Sequence, residues 1–310
     1  MTANSSATAL DAPVLPTARA GLGWGLLGVL AFSFSVPFTR VAVESGGMPP
    51  LFIGAGRAVV AALLAACALA FTRQRLPRGV HWARLAVVAA GVVVGFPLLT
   101  SFALTTAPAG HSAVVIALLP AATAVMAVLR GHERPPPAFW ATAAAGALAA
   151  IGFATSRGGG LGGLHWSDLL LFGAVVSAAV GYAEGGLLAR ELGAWQTVSW
   201  ALVLAAPLMA ALTAVSIAGR PPTGTPVEWA AFAYLALVSM FLAFFAWYRG
   251  LAIGPMVRVS QVQLVQPVLT IAWAVLLLGE QLTWTTVVGG AVVIACAGVA
   301  VRSRFGAGES

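Results

Sequence analysis

Charge is scarce in this chain, and lysine is missing from it altogether. Only 8% of the 310 residues are charged, 60% are apolar, and the mean hydropathy is +0.95. An ordinary soluble domain carries roughly 25% charged residues, which cover its surface. The composition therefore excludes a soluble globular protein and favours one that is embedded in a membrane.

Cysteine and the common catalytic motifs are also scarce. The two cysteines, Cys67 and Cys296, lie in separate apolar stretches, which indicates neither a disulfide framework nor a thiolate metal site. No G-x-x-x-x-G-K-[ST] motif occurs, which excludes ATP drive within this chain. We therefore expect no cofactor, no metal and no enzymatic activity.

Ten apolar stretches follow one another along the chain. A helix needs about 20 apolar residues to span roughly 30 Å of hydrocarbon. Backbone polar groups in lipid must be satisfied within their own segment, so such stretches are helices. The predicted fold class is all-α integral membrane, with ten transmembrane helices at about 21–43, 50–71, 84–107, 110–130, 137–156, 167–189, 194–217, 227–249, 254–278 and 283–301.

The formal charge of +7 comes from sixteen arginines that cluster at the ends of these stretches. With a cytoplasmic N-terminus, twelve fall on the cytoplasmic side, three on the other side, and Arg57 within the membrane. This bias is the positive-inside pattern, so the basicity indicates topology and no nucleic-acid partner. We expect a multi-pass protein of the plasma membrane with both termini cytoplasmic and a disordered tail over residues 1–18.

The two halves of the chain carry the same residues at the same spacing. Pro120 and Glu133 stand thirteen residues apart, as do Pro267 and Glu280, and the shift between the pairs is 147. A second match, shifted by 150, pairs Phe32 and Arg40 with Tyr182 and Arg190. The predicted domains are a first five-helix repeat at 19–156, a second at 157–304, and a short tail at 305–310.

The number of helices in each repeat indicates a function. Because five is odd, the second repeat enters the membrane from the side opposite to the first, and the two are related by an axis in the membrane plane. This symmetry makes the two faces of the protein nearly equivalent. Secondary transporters use it to exchange inward-open and outward-open states, so the duplication predicts alternating access.

The residues that carry the repeat also resemble the EamA-type permeases of the drug/metabolite transporter superfamily. The resemblance covers about residues 21–301, and it rests on Phe32 to Arg40, Gly56 to Val59, Pro120 to Glu133, Gln263 to Pro267, Leu278 to Glu280, and Gly289-Gly290. Phe32 and Ser35 replace the tryptophan and asparagine that are common in that family. The resemblance implies a central cavity lined mainly by helices 1, 3, 4, 6, 8 and 9, with helices 5 and 10 at the periphery.

Polar and aromatic residues near the middle of these helices are candidates for the cavity wall, because polar groups are costly in hydrocarbon. The predicted substrate-cavity residues are Phe32, Ser35, Ser101, Tyr182, Ser239, Gln263 and Gln266. The alternative for the polar residues is interhelical hydrogen bonding that only holds helices together. The alternative for the aromatic pair is simple packing between helices.

Charged residues and prolines inside the helices have separate interpretations. Glu184, a desolvated carboxylate, is a candidate for proton coupling, and the alternative is an ion pair with Arg190 or another cytoplasmic arginine. Arg57 is predicted to be structural, with its side chain reaching the outer interface or pairing with Glu44. Pro120 and Pro267 are predicted to bend their helices. His111 is expected to be exposed after a short turn.

The function that we predict is secondary transport of small organic metabolites, with export of amino acids or related compounds as the leading hypothesis. The expected partners are a small-molecule substrate and the lipid bilayer, with the proton as a candidate coupling ion. The alternatives are a membrane-embedded lipid-processing enzyme, for which a cluster of catalytic residues is missing, and a ligand-binding sensor without transport.

Overall fold

The computed structural model describes residues 18–131, 136–155, 165–253, 259 and 262–305. Within these ranges every regular element is a helix. The predictions for Glu133 and for the two terminal tails, apart from Ala18 and Phe305, fall outside them.

Within the described ranges, helical segments lie where the sequence predicts apolar helices. Eight are long and apolar enough to cross a membrane, whereas α9 and the apolar part of α10, Trp284–Ala300, are shorter. The segments are α1 (Ala20–Glu44), α2 (Pro50–Phe71), α3 (Val80–Ala103), α4 (Ala109–Arg130), α5 (Pro137–Thr155), α6 (Trp166–Leu192), α7 (Ala194–Gly219), α8 (Pro226–Ile253), α9 (Gln263–Leu278) and α10 (Trp284–Phe305).

The outer surface of this helix assembly is apolar, and many of its polar side chains are inside. Leu63 and Leu276 are 64% and 71% exposed, and similar side chains cover the flanks of most helices. Arg57, Glu184 and Asp168 are buried. An apolar exterior of this extent marks a surface that contacts lipid and not water.

Several helices change their hydrogen-bonding pattern near mid-length. A π-helical stretch, Ala89–Gly95, interrupts α3, and another, Leu235–Leu242, interrupts α8. When the repeat shift of 147 is added, residues 89–95 correspond to residues 236–242, so the two π-helical stretches occupy equivalent positions in the two repeats. In the same way, a turn at Ala117 and Leu118 in α4 corresponds to the 3₁₀ turn Gln263–Val265 at the start of α9. Helix irregularities of this kind often occur at functional sites.

The prolines explain the second pair of irregularities. Pro120 and Pro267 each follow directly after one of these turns, within the first residues of the next helical segment. Proline lacks the backbone N–H group, so it fits there without leaving a hydrogen bond unmade. The two residues therefore mark equivalent breaks in α4 and α9.

The central helices form two three-helix bundles. In the first bundle, defined as α3, α4 and α6, helix α6 packs against the other two. In the second bundle, defined as α1, α8 and α9, helix α1 packs against the other two. The repeat shifts relate α3 to α8, α4 to α9 and α6 to α1, so the bundles correspond to each other. Helices α2 and α7 pack together, and α5 and α10 form a pair at the periphery.

Glycines bring the backbones close together inside each bundle. A methyl group on Gly250 of α8 would lie 2.7 Å from the backbone nitrogen of Gly25 in α1. A methyl group on Gly91 of α3 would lie 2.9 Å from Cα of Gly181 in α6. Small residues permit this approach, which gives membrane helices their van der Waals attraction. Both bundles are therefore tightly packed units.

Candidate functional site: a pocket between two bundles

A small pocket lies halfway along the helices, between the two bundles. Its wall includes residues of α1, α3, α4, α6, α8 and α9, the six helices that the family resemblance implies, and also Arg57 of α2. The free volume of about 20 Å³ holds one water molecule. The pocket is therefore nearly filled by its own side chains in this state.

One side of the pocket is aromatic. The rings of Phe32 and Phe244 meet edge to face with their centroids 4.9 Å apart, and Tyr182 lies 6.4 Å from Phe32 and 5.9 Å from Phe244. Phe32 and Tyr182, the pair related by the shift of 150, come from different bundles and meet here. The three rings form an apolar wall across the contact between the bundles.

The other side of the pocket is polar. The hydroxyl groups of Ser35 and Ser239 lie 2.6 Å apart and join α1 to α8. One turn further along α1, the Thr39 hydroxyl donates to the Ser35 carbonyl at 2.7 Å and accepts a long hydrogen bond, 3.4 Å, from Nη1 of Arg57. Gln266 of α9 completes this side.

The structure corrects the expected surroundings of Arg57. Its side chain does not reach an interface, because only 2% of the residue is exposed. Nor does it pair with Glu44, whose carboxylate instead binds Arg40 at 3.0 Å. Gly54 and Gly56 in α2 let Leu98 and Phe232 of the neighbouring helices approach closely, and Arg57 lines the pocket between these helices.

Two of the predicted cavity residues lie outside this pocket. Gln263 lines a smaller adjoining cavity with Pro120 and Pro267, and Gln266 belongs to both cavities. Ser101 lines neither; its hydroxyl donates to the carbonyl of Pro97 in its own helix at 2.7 Å. The structure thus brings together Phe32, Ser35, Tyr182, Ser239 and Gln266, and separates Ser101 from them.

Glu184 lies near the end of the assembly where α1 begins, which we call the N-terminal end. Its two carboxylate oxygens accept hydrogen bonds from Nε of Arg84 and Nε of Arg130, the latter at 2.7 Å. Arg84 also binds Glu191 at 2.7 Å. All these residues belong to the first bundle, so the cluster ties α3, α4 and α6 together. Arg84 and Arg130 are two of the arginines that the sequence assigns to the cytoplasmic side. Glu184 therefore pairs with cytoplasmic arginines, as its alternative interpretation expects, but Arg190 is not one of its partners.

At the opposite end, contacts cross from one bundle to the other. The Glu280 carboxylate, just after α9, accepts hydrogen bonds from the backbone N–H groups of Ala109 and Gly110 at 2.6 and 2.8 Å. Arg40 of α1 donates to the carbonyl of Leu104 at 2.8 Å. A carboxylate is stabilised at a helix N-terminus by its free N–H groups and by the helix dipole. Glu280 therefore holds the start of α4 against the end of α9.

His111 is buried, and the expectation of an exposed residue was wrong. Its Nε2 lies 2.8 Å from Oδ1 of Asp168 at the start of α6, and its ring stacks on Phe153 at 4.9 Å. Asp168 also accepts a hydrogen bond from the backbone N–H of His165 and so caps its own helix. His111 lies inside α4, which begins two residues earlier, at Ala109, and its side chain packs within the assembly.

The sequence did not predict that Arg57 lines the pocket or that Glu280 contacts the start of α4. The sequence does carry a signal for Arg57, since it is the one arginine assigned to the interior of an apolar stretch. No local pattern connects Glu280 to Ala109, because 171 residues separate them. Phe244 and Met240 on the wall are indistinguishable in sequence from the lipid-facing residues around them.

The fold and the pocket define a multi-pass helical membrane protein built around a central cavity. A model of the EamA-like transporter family matches the chain twice, over residues 19–155 and 165–302. The chain belongs to this family, and it is therefore a membrane transporter.

Two known proteins are similar over nearly the whole chain. The uncharacterized transporter YdeK of Bacillus subtilis (strain 168) is 44% identical over 293 residues, which cover 91% of this chain and 97% of that protein. A solved crystal structure, described only as "Crystal structure of protein", has a TM-score of 0.63 at 20% identity and covers 94% of this chain and 99% of its own. At that identity the second match shows the fold and nothing more.

Proposed function

We propose that this transporter is a secondary active transporter that moves small organic metabolites by alternating access. The observation that carries the proposal is the nearly filled pocket midway along the helices, between two bundles that correspond to each other under the repeat shifts. A substrate held there is reached from either face when one bundle tilts against the other.

The matching irregularities of the two repeats support an inverted duplication. The π-helical stretches of α3 and α8 coincide under the shift of 147, and so do the turns before Pro120 and Pro267. The proposed repeats, residues 19–156 and 157–304, agree with the two family matches to within several residues. Each would contribute five membrane helices, for a total of ten.

The inverted arrangement predicts where two tags will be found. A short epitope inserted after residue 156 should lie on the external side of the plasma membrane, and one placed after residue 301 should lie in the cytoplasm, since five helices separate them. Labelling of intact and permeabilised cells with an antibody distinguishes the two positions. Both epitopes on the same side would contradict the inverted repeat.

The chemistry of the pocket wall suits amino acids or related compounds. Aromatic rings offer contact to an apolar part of the substrate, whereas hydroxyl and amide groups offer hydrogen bonds to a polar part. Export as the direction is proposed on the family resemblance, and the proton as a coupling ion is proposed on that resemblance together with the buried carboxylate of Glu184. Pairing of Glu184 with two arginines favours its alternative, structural role.

Transport is tested by efflux from proteoliposomes that contain the purified protein. A labelled amino-acid mixture should leave them several times faster than it leaves protein-free liposomes, and an imposed pH gradient should change the rate if protons are coupled. Efflux no faster than from protein-free liposomes would count against amino-acid transport. An efflux rate that does not depend on the pH gradient would contradict the proposal of proton coupling but not that of transport.

A further inference from the structure

A buried guanidinium group lies on the wall of the pocket, and no described residue supplies a counter-charge to it. Arg57 is 2% exposed, and neither Nε nor Nη2 has a hydrogen-bond partner among the residues that the structure describes. The remaining nitrogen, Nη1, makes only the 3.4 Å contact with Thr39. Across the pocket, Oε1 of Gln266 is also buried and without a partner. A hydrogen-bond donor group and a hydrogen-bond acceptor group, both unsatisfied, therefore line the same cavity.

Such an arrangement is costly unless something else completes it. An isolated cation in a low-dielectric interior loses its hydration, and arginines there are paired almost without exception. The cavity has room for a single water, which would supply hydrogen bonds but no negative charge. The guanidinium thus has capacity for an anion, since its planar N–H groups match two oxygens at once.

The described part of the chain supplies no carboxylate to Arg57. Each of its carboxylates binds another partner, namely Glu44 with Arg40, Asp168 with His111, Glu184 with Arg84 and Arg130, Glu191 with Arg84, Glu228 with Thr225, and Glu280 with Ala109. The ion pair with Glu44, which would give Arg57 a structural role, is therefore not formed among the described residues.

We propose that Arg57 is the anion-binding residue of the substrate site, and that the substrate is an organic carboxylate with an apolar body. This inference rests on the proposed function. The carboxylate binds Nε and Nη2 of Arg57, a donor group on the substrate binds Oε1 of Gln266, and the apolar body packs against Phe32, Tyr182 and Phe244. The pocket widens to admit the substrate when the two bundles separate.

Four probes that share a phenyl body test the carboxylate. 3-Phenylpropanoate carries the carboxylate alone, L-phenylalanine adds an ammonium group, 2-phenylethylamine carries only the amine, and 3-phenylpropan-1-ol is neutral. In thermal unfolding of the purified full-length protein, the two carboxylates should raise Tm at roughly tenfold lower concentration than the other two, since charged hydrogen bonds contribute about 1.5–3 kcal/mol. Equal shifts from all four probes, or no shift from any, would overturn the proposal.

Variants at position 57 connect this preference to the guanidinium. Arg57→Gln should lose the distinction between the carboxylates and the alcohol, whereas Arg57→Lys should keep part of it. Arg220→Gln is the matched control, because Arg220 is exposed at the end of α7. Retention of the wild-type preference in Arg57→Gln would overturn the assignment.

The stability of the ligand-free protein separates a binding role from a structural one. Because an unpaired buried charge is removed, Arg57→Met should unfold at the same temperature as wild type or higher. A structural role for Arg57 predicts a lower Tm for Arg57→Met, and a lowered Tm together with an unchanged carboxylate preference would overturn the proposal.

Failure of this site and failure of the proposed function have different results. Binding of a carboxylate without any flux would contradict transport but not the binding site. If the flux of a carboxylate is the same in Arg57→Gln as in wild type, the binding site is contradicted but transport is not.

Discussion

Replacement of Glu280 by glutamine should open the pocket toward the end opposite the N-terminal end. The carboxylate holds two backbone N–H groups at the start of α4 and thereby joins the second bundle to the first. Glutamine keeps one acceptor oxygen, turns an N–H₂ group toward the other donor, and loses the charge that the helix N-terminus favours. The closed state should lose about 1.5–3 kcal/mol, which raises the ratio of the open to the closed state roughly tenfold or more.

This opening is measured with a single cysteine in the pocket. In a background with Cys67→Ser and Cys296→Ser, Ser35→Cys places the thiol on the pocket wall. Its reaction with a membrane-impermeant methanethiosulfonate reagent, added to intact cells, should be at least about tenfold faster with Glu280→Gln, in proportion to the open population.

Glu228→Gln is the matched control for this experiment. Glu228 also caps a helix at the same end, but it binds the backbone of Thr225 next to its own helix and joins no bundles. Its replacement should weaken the start of α8 without exposing the thiol. An equal acceleration in both variants, or none in Glu280→Gln, would show that Glu280 does not close the pocket.

Replacement of Glu184 by glutamine should reduce stability more than any other single carboxylate change at the N-terminal end. Only 3% of this side chain is exposed, and it binds two arginines from two neighbouring helices. Removing one member of a buried ion pair leaves an uncompensated charge and typically costs about 3–5 kcal/mol. Since Arg130 is 55% exposed and regains water, we expect the lower part of that range.

Thermal unfolding of Glu184→Gln is compared with that of Glu191→Gln. Glu191 binds the same Arg84, but 45% of its side chain is exposed, so its loss should cost about 1 kcal/mol or less. The fraction of Glu184→Gln that folds should keep the wild-type response to a pH gradient. If the variant is instead as stable as wild type and its transport no longer responds to the gradient, Glu184 is the proton-coupling residue and the structural interpretation is wrong.

Most of the secondary structure could be predicted because it depends on local properties of the chain. In hydrocarbon, apolar stretches of about 20 residues form helices whatever surrounds them, so their positions follow from composition. The paired prolines could be located for a similar reason, since Pro120 and Pro267 restrict the backbone at their own positions. Family membership followed from the same residues and is confirmed by the two family matches.

The candidate site was predicted only in part. Phe32, Ser35, Tyr182, Ser239 and Gln266 line one pocket, as proposed from their depth in the helices. Depth says nothing about direction, however, because a helix turns by about 100° per residue and the start of each helix is uncertain. This is why Ser101 lies outside the pocket and why Phe244 was overlooked.

The sequence by itself determined that this chain is a duplicated helical membrane protein of the EamA-like transporter family, because apolar length and repeated spacing are properties of neighbouring residues. Only the tertiary structure decided which charges meet. In the tertiary structure Arg57 lines the pocket, Glu184 pairs with Arg84 and Arg130, and the Glu280 carboxylate binds the start of α4. These contacts join residues many tens of positions apart, and burial and ion pairing depend on distances that folding alone sets.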